Sequence, residues 1–100
     1  MLDYSDSKIY SVKCLETGLE YIGSTARKDI RARKREHKNH YQRYKRGTYG
    51  YNTVFQIIEK NNYSMEVVEE FPCVTRTELE ARESYWINNT DCVNKCKKRP

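Results

Sequence analysis

Glu83 interrupts an otherwise apolar stripe. In the stretch "TRTELEARESYWINN" (75–89), Leu79, Trp86 and Ile87 recur at helical spacing, and Glu83 lies four residues after the first and three before the second. Such a stripe faces a core. A carboxylate taken out of water there needs a metal ion or a cation, and Arg33 or the neighbouring Arg82 would serve as the cation. Two further groups with chemical potential occur in "KIYSVKCLETGLEYIGST" (8–25), which presents Tyr10 and Tyr21 in two short apolar runs on either side of a Thr-Gly turn. A third set lies on the basic stretch from Arg27 to Arg46, where Ile30, Arg33, His37, Tyr41 and Tyr44 follow one another at three- and four-residue steps.

The elements that must position these groups follow from pattern. Residues 8–14 and 19–24 alternate as strands, with "LETG" between them as a loop closed by Gly18, so they form a hairpin. Pairing Cys14 with Leu19 sets Val12 opposite Tyr21 and Tyr10 opposite Gly23. Both tyrosines then project from one side of the sheet, and Gly23 leaves room beside Tyr10. Residues 27–46 contain no Gly or Pro and predict a helix stopped by Gly47. "NTVFQIIEKNN" (52–62) predicts a second helix capped by Asn52, with Val54, Ile57 and Ile58 inward. "SMEVVEEF" (64–71) predicts a third strand ended by Pro72, and Thr75 with Glu78 predicts a capping box opening a helix over 75–89.

Composition bounds the rest. A chain of 100 residues supports one domain with a modest core, and 37% hydrophobic with 12% aromatic residues is too much for a disordered chain. No apolar run reaches the ~20 residues that span a bilayer, and the first residues lack a signal-peptide pattern, so a soluble intracellular protein is expected. The sequons at Asn62 and Asn88 carry no weight in that setting. Cys92 and Cys96 form a C-x3-C pair that His37 and His40 would extend to a zinc set, but Cys14 and Cys73 supply no second close pair, and reduced thiols in a core are the simpler reading. The net charge of +5 is unevenly spread: residues 27–46 hold ten Lys or Arg against two acids, and the remainder of the chain is net negative. A basic segment with interleaved Tyr41 and Tyr44 suits contact with nucleic-acid phosphates.

"KIY" (8–10) and "YIG" (21–23) together resemble the paired signature of the GIY-YIG nuclease family. "IRARKREH" (30–37) resembles its helical Arg-to-His segment, "ELEARESYWI" (78–87) its segment with a metal-binding Glu three residues before an aromatic, and "CVNK" (92–95) its closing segment with an Asn. The match covers residues 8–95. Lys8 stands where the signature has its first Gly, a position read as the start of a hairpin edge that carries no chemistry. His40 lies too close to His37 to match the further polar group that some members carry in the loop after the first helix, while Tyr49 lies where that loop should be, and both stay outside the site.

The resemblance implies an α/β domain, a small, mainly antiparallel three-stranded sheet flanked by helices, in one unit over 1–100. It implies an endonuclease dependent on Mg2+ (or Mn2+), acting most readily on DNA, either with loose specificity or with a targeting domain or protein partner supplying it. The catalytic residues it points to are Tyr10, Tyr21, Arg33, His37, Glu83 and Asn94, with Glu83 as metal ligand. DNA contact is expected from Gly23, Arg31, Arg33, Lys34, Arg35 and Lys38. A catalytically inactive nucleic-acid-binding module of the same fold is the alternative.

Overall fold

The structure, a computed structural model, describes residues 4–94. Its elements run β1 (Lys8–Cys14), β2 (Glu20–Thr25), α1 (Ile30–Lys45), α2 (Phe55–Ile58), β3 (Tyr63–Glu70) and α3 (Arg76–Asn88). The strands form one antiparallel sheet in the order β2-β1-β3. Among the described residues no helix is long and apolar enough to cross a membrane.

The hairpin register follows the sequence pattern. Val12 stands opposite Tyr21 and Tyr10 opposite Gly23, while the Cys14 amide donates to the Leu19 carbonyl at 2.8 Å. Gly18 closes the turn at φ 78°, a conformation that glycine adopts without a Cβ clash. Alternation along the strands then sends side chains to two faces. Tyr10, Val12 and Cys14 pack with Val54, Phe55, Ile57 and Ile58 on the α1 and α2 side. Ile9 and Ile22 pack with Leu79 and Cys92 on the α3 side. A bulge between Ile9 and Tyr10 leaves Val68 of β3 without a direct partner, and both Val68 and Glu69 serve the α3 side: Val68 joins its core, and Glu69 accepts from Arg82 and from the Trp86 indole.

Both long helices carry the ends written in their sequences. Asp29 caps α1, its carboxylate accepting from the Arg31 amide at 2.9 Å. Gly47, at φ 82°, ends it: the Thr48 amide returns to the Arg43 carbonyl and the Gly47 amide to Tyr44, the Schellman arrangement. Thr75 and Glu78 form the anticipated capping box of α3.

Two expectations change. The helix expected over 52–62 is a single turn, Phe55–Ile58, because Asn52 folds its side chain onto the Val54 amide and Asn61 takes a left-handed φ of 53° that turns the chain into β3. Its apolar residues are buried as anticipated. Lys8 is not at an edge: β1 is the central strand and Lys8 is 7% exposed. Its ammonium donates to the carbonyls of Asp6, Arg27 (2.6 Å) and Lys28 (3.1 Å), which uses all three N–H groups and makes its burial tolerable. Lys8 thereby ties the segment that leads into α1 to the middle of the sheet.

Candidate active site

A cleft of about 650 Å³ opens beside the end of β2, between the start of α1 and the first turns of α3. Tyr21, Arg33 and Glu83 line it. The site therefore straddles the edge strand, with Tyr21 and Gly23 projecting toward α1 and Ser24, by alternation, toward α3.

On the α3 side, Glu83 accepts a short hydrogen bond from the Ser24 hydroxyl. The cation readings of Glu83 fail on geometry, since Arg82 is bound to Glu69 (2.6 and 3.0 Å) and Arg33 to Glu36. Glu36 and Glu80 also line the cleft, but the first is bound by Arg27 and Arg33 and the second by Arg76. Glu83 is thus the cleft carboxylate without an ion pair among the described residues. No group of three or more His, Cys, Asp or Glu that would enclose a metal exists among those residues. A single carboxylate beside an open, polar cleft fits a hard divalent ion of the Mg2+ kind, which retains most of its water and takes one or two protein oxygens.

On the α1 side, three groups form a chain. Arg33 Nε donates to Tyr10 Oη at 3.2 Å, and Tyr10 Oη lies 2.7 Å from His37 Nε2. Burial lowers the His37 pKa to about 4, aided by the Arg33 and His40 charges, so its imidazole is neutral at physiological pH and Nε2 can accept the phenol proton. Burial raises the Tyr10 pKa, opposed by Arg33 and reinforced by Glu83 and Glu36. Tyr21, also raised by burial, remains a phenol and meets the edge of His37 with ring centroids 5.8 Å apart. Burial alone would lower Arg33, but its interactions with Tyr10 and Glu36 outweigh that and keep it charged.

Gly23 lies directly against the Tyr10 side chain. A Cβ placed there would lie 2.4 Å from Tyr10 Oη and 2.5 Å from its Cζ, so only glycine lets the buried phenol pass beneath β2. Asn94 holds the same strand from outside: its amide donates to the Ile22 carbonyl (2.8 Å) and accepts from the Ile22 amide (2.9 Å). Both ends of its side chain are committed to the backbone of β2, which gives it a positioning task. Tyr10 does not line the cleft and is fully buried, one hydrogen bond behind Arg33.

The basic helix divides as well. Arg31 is paired with Asp29, Lys34 lies over the Tyr63 ring (5.3 Å to its centroid), and neither lines the cleft; nor do Arg35 and Lys38, on the same helix. The cleft cations beside Arg33 are Arg27, Lys28 and Arg76, and with Ser24 they went unnoticed in the sequence. Ser24 was open to discovery, because alternation from Gly23 places it on the face that α3 covers. His40 stacks on Tyr49, and Cys96 lies outside the described residues.

The neutral His37 has a consequence for stability. A histidine whose pKa is depressed on folding stabilises the native state fully above its unfolded value of about 6.5, and that contribution is lost as pH falls toward about 4. Urea unfolding is expected to show a loss on the order of 3 kcal/mol across this window. In His37→Gln the acid limb should flatten; an unchanged limb would assign the acid sensitivity to other groups.

Two solved structures resemble this fold. The catalytic domain of the homing endonuclease I-TevI is 25% identical, with 83% of this chain and 86% of that one covered and a TM-score of 0.56. A mutant of the catalytic domain of the intron endonuclease I-TevI is 24% identical over 84% of this chain and 82% of that one, with a TM-score of 0.60. No curated protein matches the chain. The family model of the GIY-YIG catalytic domain matches residues 7–97. With its signature tyrosines, arginine, histidine and glutamate gathered around one edge strand, the chain belongs to the GIY-YIG family and is an endonuclease domain of that type.

Proposed function

We propose that this domain hydrolyses phosphodiester bonds in DNA with the help of a divalent cation, Mg2+ or Mn2+. The observation that carries the reading is the hydrogen-bonded chain Arg33–Tyr10–His37 ending at a cleft whose carboxylate, Glu83, has no ion-pair partner among the described residues. Arg33 holds a non-bridging oxygen of the scissile phosphate, a task suited to a permanently charged guanidinium. As Arg33 turns to the phosphate it uncovers the buried Tyr10 Oη behind it, and the lone pair it occupied opens to a water. The water gives a proton to Tyr10 Oη while the phenol passes its own proton to His37 Nε2, so free phenolate, which burial disfavours, never has to form. The resulting hydroxide attacks phosphorus, the bond to the leaving sugar oxygen breaks, that oxygen takes a proton from solvent water in the cleft, and His37 returns its proton through Tyr10 to solvent. Tyr21, kept protonated, donates a hydrogen bond into the cleft. Glu83, oriented by Ser24, would hold the cation, whose charge, when bound, stabilises the phosphate and leaving oxygens. The retained proton chain favours this over an inactive binding module.

Incubation of supercoiled plasmid with and without Mg2+ tests the reading: nicked or linear product is expected only with the ion. Binding to an uncleavable duplex should weaken steeply with salt, since each neutralised phosphate releases counterions. Alanine at Lys34, Arg35 and Lys38 together is expected to flatten that slope. A slope unchanged in this variant would move the DNA track to the cleft cations Arg27, Lys28 and Arg76.

A further inference from the structure

At its far end α1 carries a second surface, remote from the cleft. Between residues 37 and 58 the chain has four Lys or Arg and no acid. Near the start of the helix, Asp29 and Glu36 pair with Arg27, Arg31 and Arg33 and offset part of the charge there, whereas no acid stands beside Lys38, Arg43, Lys45 and Arg46, which form no ion pair with any described residue. Beside these cations the last turn of α1 and the loop after it present aromatic rings to solvent: Tyr51 is 58% exposed, and Tyr44 and Tyr49 more than a third. The rings are held in place. Tyr49 stacks on His40 with centroids 4.4 Å apart and carries the Arg43 guanidinium at 5.3 Å, while Tyr51 rests on Tyr44 and the buried Phe55. None of these residues lines the cleft.

A favourable end to the helix dipole accounts for one or two cations in the last turn. It does not account for three exposed tyrosines fixed among unpaired positive charges. Rigid aromatic faces amid cations are what unpaired bases and their phosphates select, because every base has a π-face to stack and the charge follows the backbone. Intact duplex hides its base faces. Tyr44 follows Arg33 by eleven residue steps along the helix, about 16 Å, or roughly five base pairs.

We propose that His40, Arg43, Tyr44, Tyr49 and Tyr51 form a binding surface for single-stranded DNA flanking the site of cleavage. This rests on the endonuclease reading of the cleft and names its substrate class: duplex with an unpaired arm. The test is fluorescence anisotropy in EDTA, with a labelled duplex and a labelled fork whose single-stranded arm is poly-dT, so that binding is read apart from hydrolysis. The wild-type protein should bind the fork about tenfold more tightly than the duplex. Tyr51→Ala, at the most exposed ring, and the double variant Tyr49→Ala/Tyr51→Ala should lose that advantage while duplex affinity changes less than twofold, and Tyr51→Phe should keep it. Equal affinity of wild type for fork and duplex would overturn the proposal, and needs no variant. An equal loss on both DNAs in Tyr51→Ala would also overturn it, by making the ring a general structural element. A protein that nicks plasmid but shows no fork preference loses this surface and keeps its cleft; one that prefers the fork but never nicks keeps the surface and loses the cleft chemistry.

Discussion

Glu83→Gln should lower cleavage by at least a thousandfold in Mg2+ while leaving DNA binding intact. The side chain keeps its shape, and the amide oxygen can still accept from the Ser24 hydroxyl, so the local geometry survives. What disappears is the negative charge that would hold the divalent ion, and with it the charge stabilisation needed by the transition state. Binding should hold or strengthen, because a negative charge is removed from the phosphate site. The fold offers a sharp control. Had Glu83 been the salt-bridge partner of an arginine, its neutralisation would strand a partly buried cation at a cost of ~1–3 kcal/mol. Arg82 is satisfied by Glu69 and Arg33 by Glu36, so no cation is stranded and the metal-free melting temperature should hold or rise slightly. Plasmid nicking at the wild-type rate by this variant would remove Glu83 from the chemistry. Unimpaired nicking combined with earlier melting would restore the salt-bridge reading.

Gly23→Ala is expected to be nearly as damaging, by a steric route. The added methyl would lie 2.4 Å from the Tyr10 hydroxyl oxygen, and Tyr10 cannot swing aside, being wholly buried and held by both Arg33 and His37. Relief must come from parting β1 and β2 or from breaking the proton chain. Overpacking of this kind costs about 1–3 kcal/mol in stability. Activity should fall at least a hundredfold, because in the proposed mechanism the position of Tyr10 Oη relative to His37 Nε2 decides the proton transfer. A cycle with Tyr10→Phe separates the two routes. If the methyl acts through the hydroxyl, Gly23→Ala/Tyr10→Phe will be little slower than Tyr10→Phe alone; multiplicative losses would mean that the clash with the ring carbons, which phenylalanine keeps, parts the strands and disturbs the cleft as a whole.

Much of the frame was legible in the chain because it depends on near neighbours. Hairpin register follows from a short loop and two alternating runs, so the pairing of Tyr10 with Gly23 was readable before any fold was known. The Asp29 end of α1 was less so: the helix was expected from residue 27, and the cap sits two residues later. Over 52–62 the apolar residues were correctly inward, but the left-handed Asn61 and the Asn52 turn shortened the helix, local hydrogen bonds that helical periodicity does not register.

The sequence by itself determined which groups could do chemistry: a carboxylate in an apolar stripe, two phenols on one side of a hairpin, and an arginine one helical turn from a histidine. Only the tertiary structure decided what each of them meets. That Tyr10 is buried behind Arg33, that Glu83 is free of Arg82, and that Lys8 clamps the approach to α1 all depend on side chains from distant parts of the chain. Pattern along a chain reports which face a residue takes, because that is a property of its own backbone. Charge compensation and burial are properties of pairs, and their energies are set once folding brings the partners within hydrogen-bonding distance in a medium poorer in water.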